Sequence, residues 1–137
     1  MKELTLEASI DNLGQVLCFI DEQLETINCP LREQMKIDVA VEEIFANIAS
    51  YAYAPDSGNT TVRIEFEKNP LAAVITFVDS GVPYDPLEKA DPDVSLSLHE
   101  REIGGLGIFM VKKSMDSMTY QYEKGQNVLH IRKILKE

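Results

Sequence analysis

The stretch Leu71–Pro86, LAAVITFVDSGVPYDP, decides how the chain is to be read. From Leu71 to Val78 the side chains are apolar apart from Thr76, and several are β-branched or aromatic. A continuous apolar run of this length predicts a strand at the centre of a sheet, buried on both faces. The run leads straight into Asp79, and Gly81 and Pro83 then force a turn. A carboxylate at such a strand end is held rigidly and can accept a hydrogen bond from an exocyclic amine such as that of adenine. Gly81 lets a flat ring approach the backbone. A plain turn-initiating Asp accounts for the same residues.

The neighbouring segments supply the rest of a sheet and its cover. TTVRIEF (60–66) alternates, with Val62, Ile64 and Phe66 on one side, and KNP (68–70) is a tight turn into the central run. LTLEASI (4–10) alternates as an opening strand. From Asn12, apolar residues recur at Leu13, Val16, Leu17, Ile20, Leu24 and Ile27, the stripe of an amphipathic helix. Pro30 suits the first turn of a second helix, which runs through REQMKIDVAVEEIFANIASYAY and stops before APDSGN. SGVPYDPLEKADPDVS (80–95) is rich in Pro, Gly and Asp and reads as a long loop. A helix with Ile108, Phe109, Val111 and Met115 follows, then a hairpin from MTYQYE, KGQN and VLHIRKIL. The order predicts an α+β fold in a single domain, 1–137: a two-layer sandwich of a mixed, mainly antiparallel sheet covered on one face by about three helices.

The 137 residues carry a formal charge of −10, from 13 basic and 23 acidic side chains. Such a surface repels phosphates, so nucleic acid is a poor partner. A basic patch on another protein suits it better, although the charge also serves solubility alone. No run approaches the length of a membrane span, and the start is not an apolar signal segment, so a cytoplasmic protein is expected. Cys18 and Cys29 form no C-x-x-C pair and are expected as buried or semi-buried reduced thiols. His99 and His130 are too scattered for a metal cage or a nucleophilic triad.

Two further stretches carry chemistry. On the second helix, Val41, Ile44, Phe45, Ile48 and Ala52 fall on one side. Glu43 and Asn47 lie four apart and stack on roughly the opposite side, in a row that Tyr51 continues. An amide oxygen there can ligate Mg2+ and a carboxylate can take a proton from a hydroxyl or water, unless the row is only a solvated face. In EREIGGLGIFMVKKSMD (100–116), Gly104, Gly105 and Gly107 precede a helix. Glycines there expose backbone N–H groups at a helix N-terminus, which forms a phosphate cradle or simply a flexible cap. The stretch is not a G-x-x-x-x-G-K-[ST] loop and does not directly follow a strand.

Taken in order, VAVEEIFANIASYAY, DSGVPYDP and GGLGIFMVKKSMD resemble the Bergerat-type ATP-binding fold of the histidine-kinase-like ATPases, and within it the small anti-sigma-factor serine kinases. The first stretch is similar to that family's N box. The second is similar to its Asp-x-Gly-x-Pro-Phe-Asp-Pro form, with Tyr84 for the Phe. The third is similar to its final glycine box. The resemblance implies ATP and Mg2+ as cofactors, Glu43 as general base and Asn47 as the Mg2+ ligand. It implies Asp79 as acceptor of the adenine amine with Gly81 beside the ring, and Gly105, Leu106 and Gly107 over the phosphates with Gly104 freeing the lid. Arg101, in a mobile lid LEKADPDVSLSLHEREI, would neutralise the terminal phosphate. The implied function is an ATP-dependent serine/threonine kinase that binds a sigma factor, phosphorylates a small antagonist protein and is often homodimeric. A nucleotide-binding partner-switch module without kinase activity and a stand-alone ATPase are the alternatives. Tyr51 stands where the family usually carries histidine, and Asn127 near where a threonine often helps hold adenine.

Overall fold

The structure, a computed structural model, describes residues 1–88 and 105–136. Along the chain run β1 (Lys2–Glu7), α1 (Leu13–Thr26), α2 (Leu31–Tyr51), β2 (Asn59–Glu67), β3 (Leu71–Asp79), α3 (Gly105–Ser114), β4 (Ser117–Glu123) and β5 (Gln126–Lys136). The strands form one sheet ordered β1-β2-β3-β5-β4. Every pairing in it is antiparallel, where the sequence left room for a mixed sheet. Short turns dictate this for β2–β3 and β4–β5, because a parallel crossover needs a dozen or more residues, whereas the long connections that include the helices bring β1 to β2 and β5 to β3. Lys124 (φ 52) and Gly125 (φ 76) both adopt positive φ between β4 and β5, the geometry of a tight hairpin turn.

β3 is central, as its composition requires. Ala72, Ala73 and the run from Ile75 to Asp79 are buried, because β2 and β5 flank the strand. Its inner residues Ala73, Ile75 and Phe77 pack with Val62 and Ile64 of β2 and Leu129 and Ile131 of β5. The three helices cover that face. Val16, Ile20 and Leu24 come from α1, Ile37, Val41, Ile44 and Phe45 from α2, and Val111 from α3. Their spacing of three and four residues places each set on one stripe. On the outer face, Thr76 Oγ1 is bonded to His130 Nδ1 at 2.8 Å. Both cysteines are free, but Cys18 is exposed on α1 rather than buried, and Cys29 is half-buried.

The contact between α1 and α2 holds a carboxyl pair. Gln34 Nε2 donates to Asp21 Oδ1 at 3.1 Å, and Asp38 is hydrogen-bonded to Asp21. Asp38 Oδ1 is buried with no hydrogen-bond partner. Burial first, then the bond and the charge of Asp21, push the Asp38 carboxyl up to about 7. Two adjacent carboxylates cannot both ionise cheaply, so Asp38 holds its proton beside Asp21. The folded state holds this proton more tightly than the unfolded chain. The associated stability is therefore complete below about pH 4 and is lost as pH rises through about 7. Thermal melts should show Tm falling between pH 5 and 8. Asp38→Asn should flatten that fall and raise Tm at pH 8 by about 3 °C, or about 1 kcal/mol after allowing for solvent screening. A variant with the parental pH profile would refute the raised Asp38 pKa.

Candidate functional site

β3 ends at a cavity beside the C-terminal half of α2. The cavity holds about 520 Å3 counting the open solvent at its mouth. Ile44, Asn47, Ile48, Tyr51 and Ala52 line one side, and Phe77, Asp79, Val82, Tyr84 and Pro86 the next. Ile108, Tyr120, Asn127 and Leu129 complete the wall. The lining is mostly apolar, with a few polar groups from separate elements.

Asp79 is 6% exposed. Its Oδ1 accepts from Gly81 N at 2.9 Å and from Asn127 Nδ2 at 2.9 Å. Both bonds fall on Oδ1, so Oδ2 keeps its accepting capacity. Asn127 stands opposite Asp79 in the β3–β5 register. Its Nδ2 also donates to Val82 O at 2.9 Å and more loosely to Gly81 O at 3.5 Å. Its Oδ1 accepts from Tyr84 N at 3.1 Å and from the Tyr120 hydroxyl. One carboxamide thus ties the strand end to the turn that follows. A second tie comes from Tyr53, whose hydroxyl donates to Asn59 O at 2.6 Å and accepts from Ser80 N at 2.8 Å. Val82 N donates to Ala52 O at 2.9 Å.

Asn47 lines the cavity, and its side chain is hydrogen-bonded to Glu43 one turn earlier. Glu43 is half-buried against the start of α3, where a Cβ on Gly107 would overlap its carboxylate. Burial raises the Glu43 pKa, the Asn47 bond partly lowers it, and the charge of Glu42 raises it further. The row of Glu43, Asn47 and Tyr51 flanks the core stripe rather than opposing it. Asn47 and Tyr51 share one cavity with Ile44 and Ile48. At 100° per residue the row begins beside the buried face, so packing of α3 brings its edge indoors.

Residues 6–133 match the family model of the histidine kinase-like ATPase domain. The chain belongs to that family. As a histidine kinase-like ATPase domain it is 24% identical to the serine/threonine-protein kinase BtrW of Bordetella bronchiseptica, over 72% of this chain and 68% of that one. It is 30% identical to the anti-sigma F factor of Pasteuria penetrans, over 77% of this chain and 71% of that one. Its fold is similar to the RsbU and RsbW domains of a Mycobacterium tuberculosis protein, with TM-score 0.64 at 14% identity. That match covers all of this chain and a third (33%) of the other. The Acinetobacter baumannii histidine kinase AdeS has TM-score 0.52 at 10% identity, over 100% of this chain and 70% of that one.

In this ATPase domain the structure brings Asn47 and Asp79 to one cavity and sets Glu43 at the α2–α3 contact. Gly105, Leu106 and Gly107 form the first turn of α3 rather than a loop before it. Arg101, Gly104 and nearly all of the expected lid lie outside the described residues. Among the described residues no cluster of His, Cys, Asp and Glu is grouped to hold a metal, and no helix is long and apolar enough to cross a membrane. Sequence reading missed Tyr53, Ala52 and the depth of Asn127's involvement, because their partners lie in distant segments. It also gave Gly81 only one reason. A Cβ there would overlap the Ala52 carbonyl, so the glycine is needed for close packing against the end of α2.

The two glycines should therefore respond differently. Gly81→Ala pushes backbone against backbone and should cost about 1–3 kcal/mol in denaturant unfolding. Gly107→Ala meets only the mobile end of Glu43 and gains helix propensity, so its stability should stay within about 1 kcal/mol. Equal losses would refute this reading of the two contacts.

Proposed function

We propose that this domain is an ATP-binding regulatory serine/threonine kinase that binds a sigma factor and phosphorylates a small antagonist protein. The observation that carries the reading is the convergence on one cavity region of Asp79, the Glu43–Asn47 pair and the first turn of α3. The kinase and anti-sigma-factor names of its relatives support it.

Asp79 Oδ2 accepts from the adenine amine, while Ile44, Ile48, Phe77 and Leu129 exclude water around the ring. Gly81 gives the ring access to the backbone. The first turn of α3, from Gly105 through Leu106 to Gly107, directs its N–H groups and the positive helix end at the phosphates. Gly104 and Arg101 belong to the lid in this reading, with Arg101 on the terminal phosphate. The residues present fit Mg2+: the Asn47 amide group bonds a carboxylate through its nitrogen side, which leaves its oxygen for a hard cation. When bound, Mg2+ supplies charge neutralisation at the phosphates. Glu43 accepts the proton of the attacking hydroxyl, and its burial-raised pKa makes it a stronger base. The net charge of −10 suits basic patches on the partners. Homodimerisation and a cytoplasmic setting complete the reading. The packing of Glu43 against Gly107 favours one second reading, a nucleotide-binding partner-switch module without transfer chemistry.

Single-turnover incubation with labelled ATP, Mg2+ and candidate antagonist proteins should place label on a partner serine or threonine. Glu43→Gln should slow transfer by about 10²–10⁴-fold while ADP affinity holds within about twofold. Transfer should rise with pH, with a midpoint above the ordinary glutamate value, because the base works only once deprotonated. Nucleotide binding without transfer would select the module, and undiminished transfer by the variant would remove Glu43 as base. Asp79→Asn should weaken ATP by about tenfold or more in calorimetry. No heat from ATP with the parent protein would sink the nucleotide site itself.

A further inference from the structure

The turn after Asp79 has spent its backbone donors. Ser80 N donates to the Tyr53 hydroxyl, Gly81 N to Asp79 Oδ1, Val82 N to Ala52 O and Tyr84 N to Asn127 Oδ1. Pro83 carries no N–H. The Asn127 amide is committed as well, its nitrogen to Asp79 Oδ1 and Val82 O and its oxygen to Tyr84 N and the Tyr120 hydroxyl. Asp79, Val82, Tyr84, Tyr120 and Asn127 all line the cavity. At the strand end, the wall therefore offers an acceptor, Asp79 Oδ2, and these donors are all turned inward on the protein.

We infer that Asn127 is a positioning residue that sets base selectivity: by consuming the donors beside Asp79 it makes this wall fit a 6-aminopurine and reject a 6-oxopurine. The inference rests on the adenine-nucleotide reading above and deepens it. An exocyclic amine brings a donor to the free carboxylate oxygen. A 6-oxo group brings a second acceptor to a carboxylate, in an apolar pocket, where it would be left without a hydrogen bond. A site with fixed polar groups discriminates most strongly against a ligand that leaves a polar atom unpaired. Asn127 does this without touching the base. Together with Gly81 N it occupies Asp79 Oδ1, so that Oδ2 alone is presented, and it absorbs the Tyr84 N–H and Tyr120 O–H that would otherwise be available to a keto oxygen.

The test compares ATP with inosine triphosphate, which carries a 6-oxo in place of the 6-amino group on the same sugar and phosphates. Dissociation constants are measured by calorimetry with the full chain and Mg2+. The parent protein should prefer ATP by about tenfold or more. Asn127→Ala frees the Tyr84 N–H and the Tyr120 O–H while Gly81 N stays on Asp79 Oδ1, and should shrink the preference by about fivefold or more. A merely structural loss would weaken both nucleotides by the same factor and leave the ratio unmoved, which would overturn the inference. Should Asn127→Ala lose its cooperative melt, Asn127→Leu frees the same donors while filling the space, and the same ratio is read from it. Equal parental affinity for the two nucleotides would overturn the inference while leaving the nucleotide site standing. Binding of neither would overturn the adenine reading itself.

Discussion

A carboxylate buried at the end of the central strand is the constraint on which the rest depends. Removing such a group from water is costly unless hydrogen bonds replace its hydration. At Asp79 they come from the following turn, through Gly81 N, and from the partner strand, through Asn127. Each donor must be held in turn. Gly81 is held because its backbone lies against Ala52 and admits no side chain. Asn127 is held because Tyr84 N and the Tyr120 hydroxyl bond its oxygen. The end of α2, the turn 80–84 and the last hairpin are therefore fixed to one another around a single acid, with Val82 N on Ala52 O and Asn127 on Val82 O and Tyr84 N as direct ties.

α2 joins that arrangement to the core. One stripe buries Val41, Ile44 and Phe45 against the sheet, while the adjoining row puts Asn47 at the cavity and Glu43 at the foot of α3. A helix that is rigid because it is packed on one side positions polar groups on the next more accurately than a loop does. The same packing sets their chemistry. Glu43 and Asp38 both sit on α2 with burial as the leading cause of a raised pKa. Their neighbours then separate them. Asn47 donates to Glu43 and favours its ionised form, whereas Asp21 is a second carboxyl and favours the protonated form of Asp38. One can work as a base, and the other couples the α1–α2 contact to pH.

Much of this was written locally. The unbroken apolar run of β3, the alternation of β2 and the stripes of α1 and α2 each carry their own period, and each element lies within a few residues of its expected place. The order of elements was enough for a helix-covered sheet. Glu43 and Asn47, four apart on a helix, and Asp79 at a strand end were legible as chemistry for the same reason: their meaning lies in spacing and in residue type. Asn127 was legible only as a position. Its donors and acceptors come from residues 79, 81, 82, 84 and 120, and no period in the chain links these numbers.

The sequence by itself determined the elements, their order and the residue types that meet at the cavity, because periodicity and turn chemistry act over a few residues. Only the tertiary structure decided which side of the Glu43 row is enclosed, and why a side chain at Gly81 meets backbone while one at Gly107 meets the end of Glu43. It also decided which oxygen of Asp79 is left to accept a ligand. Those outcomes depend on contacts between α2, α3, the turn 80–84 and β5, segments far apart in sequence whose separation becomes fixed only when the sheet closes its hydrogen bonds and the helices pack on it.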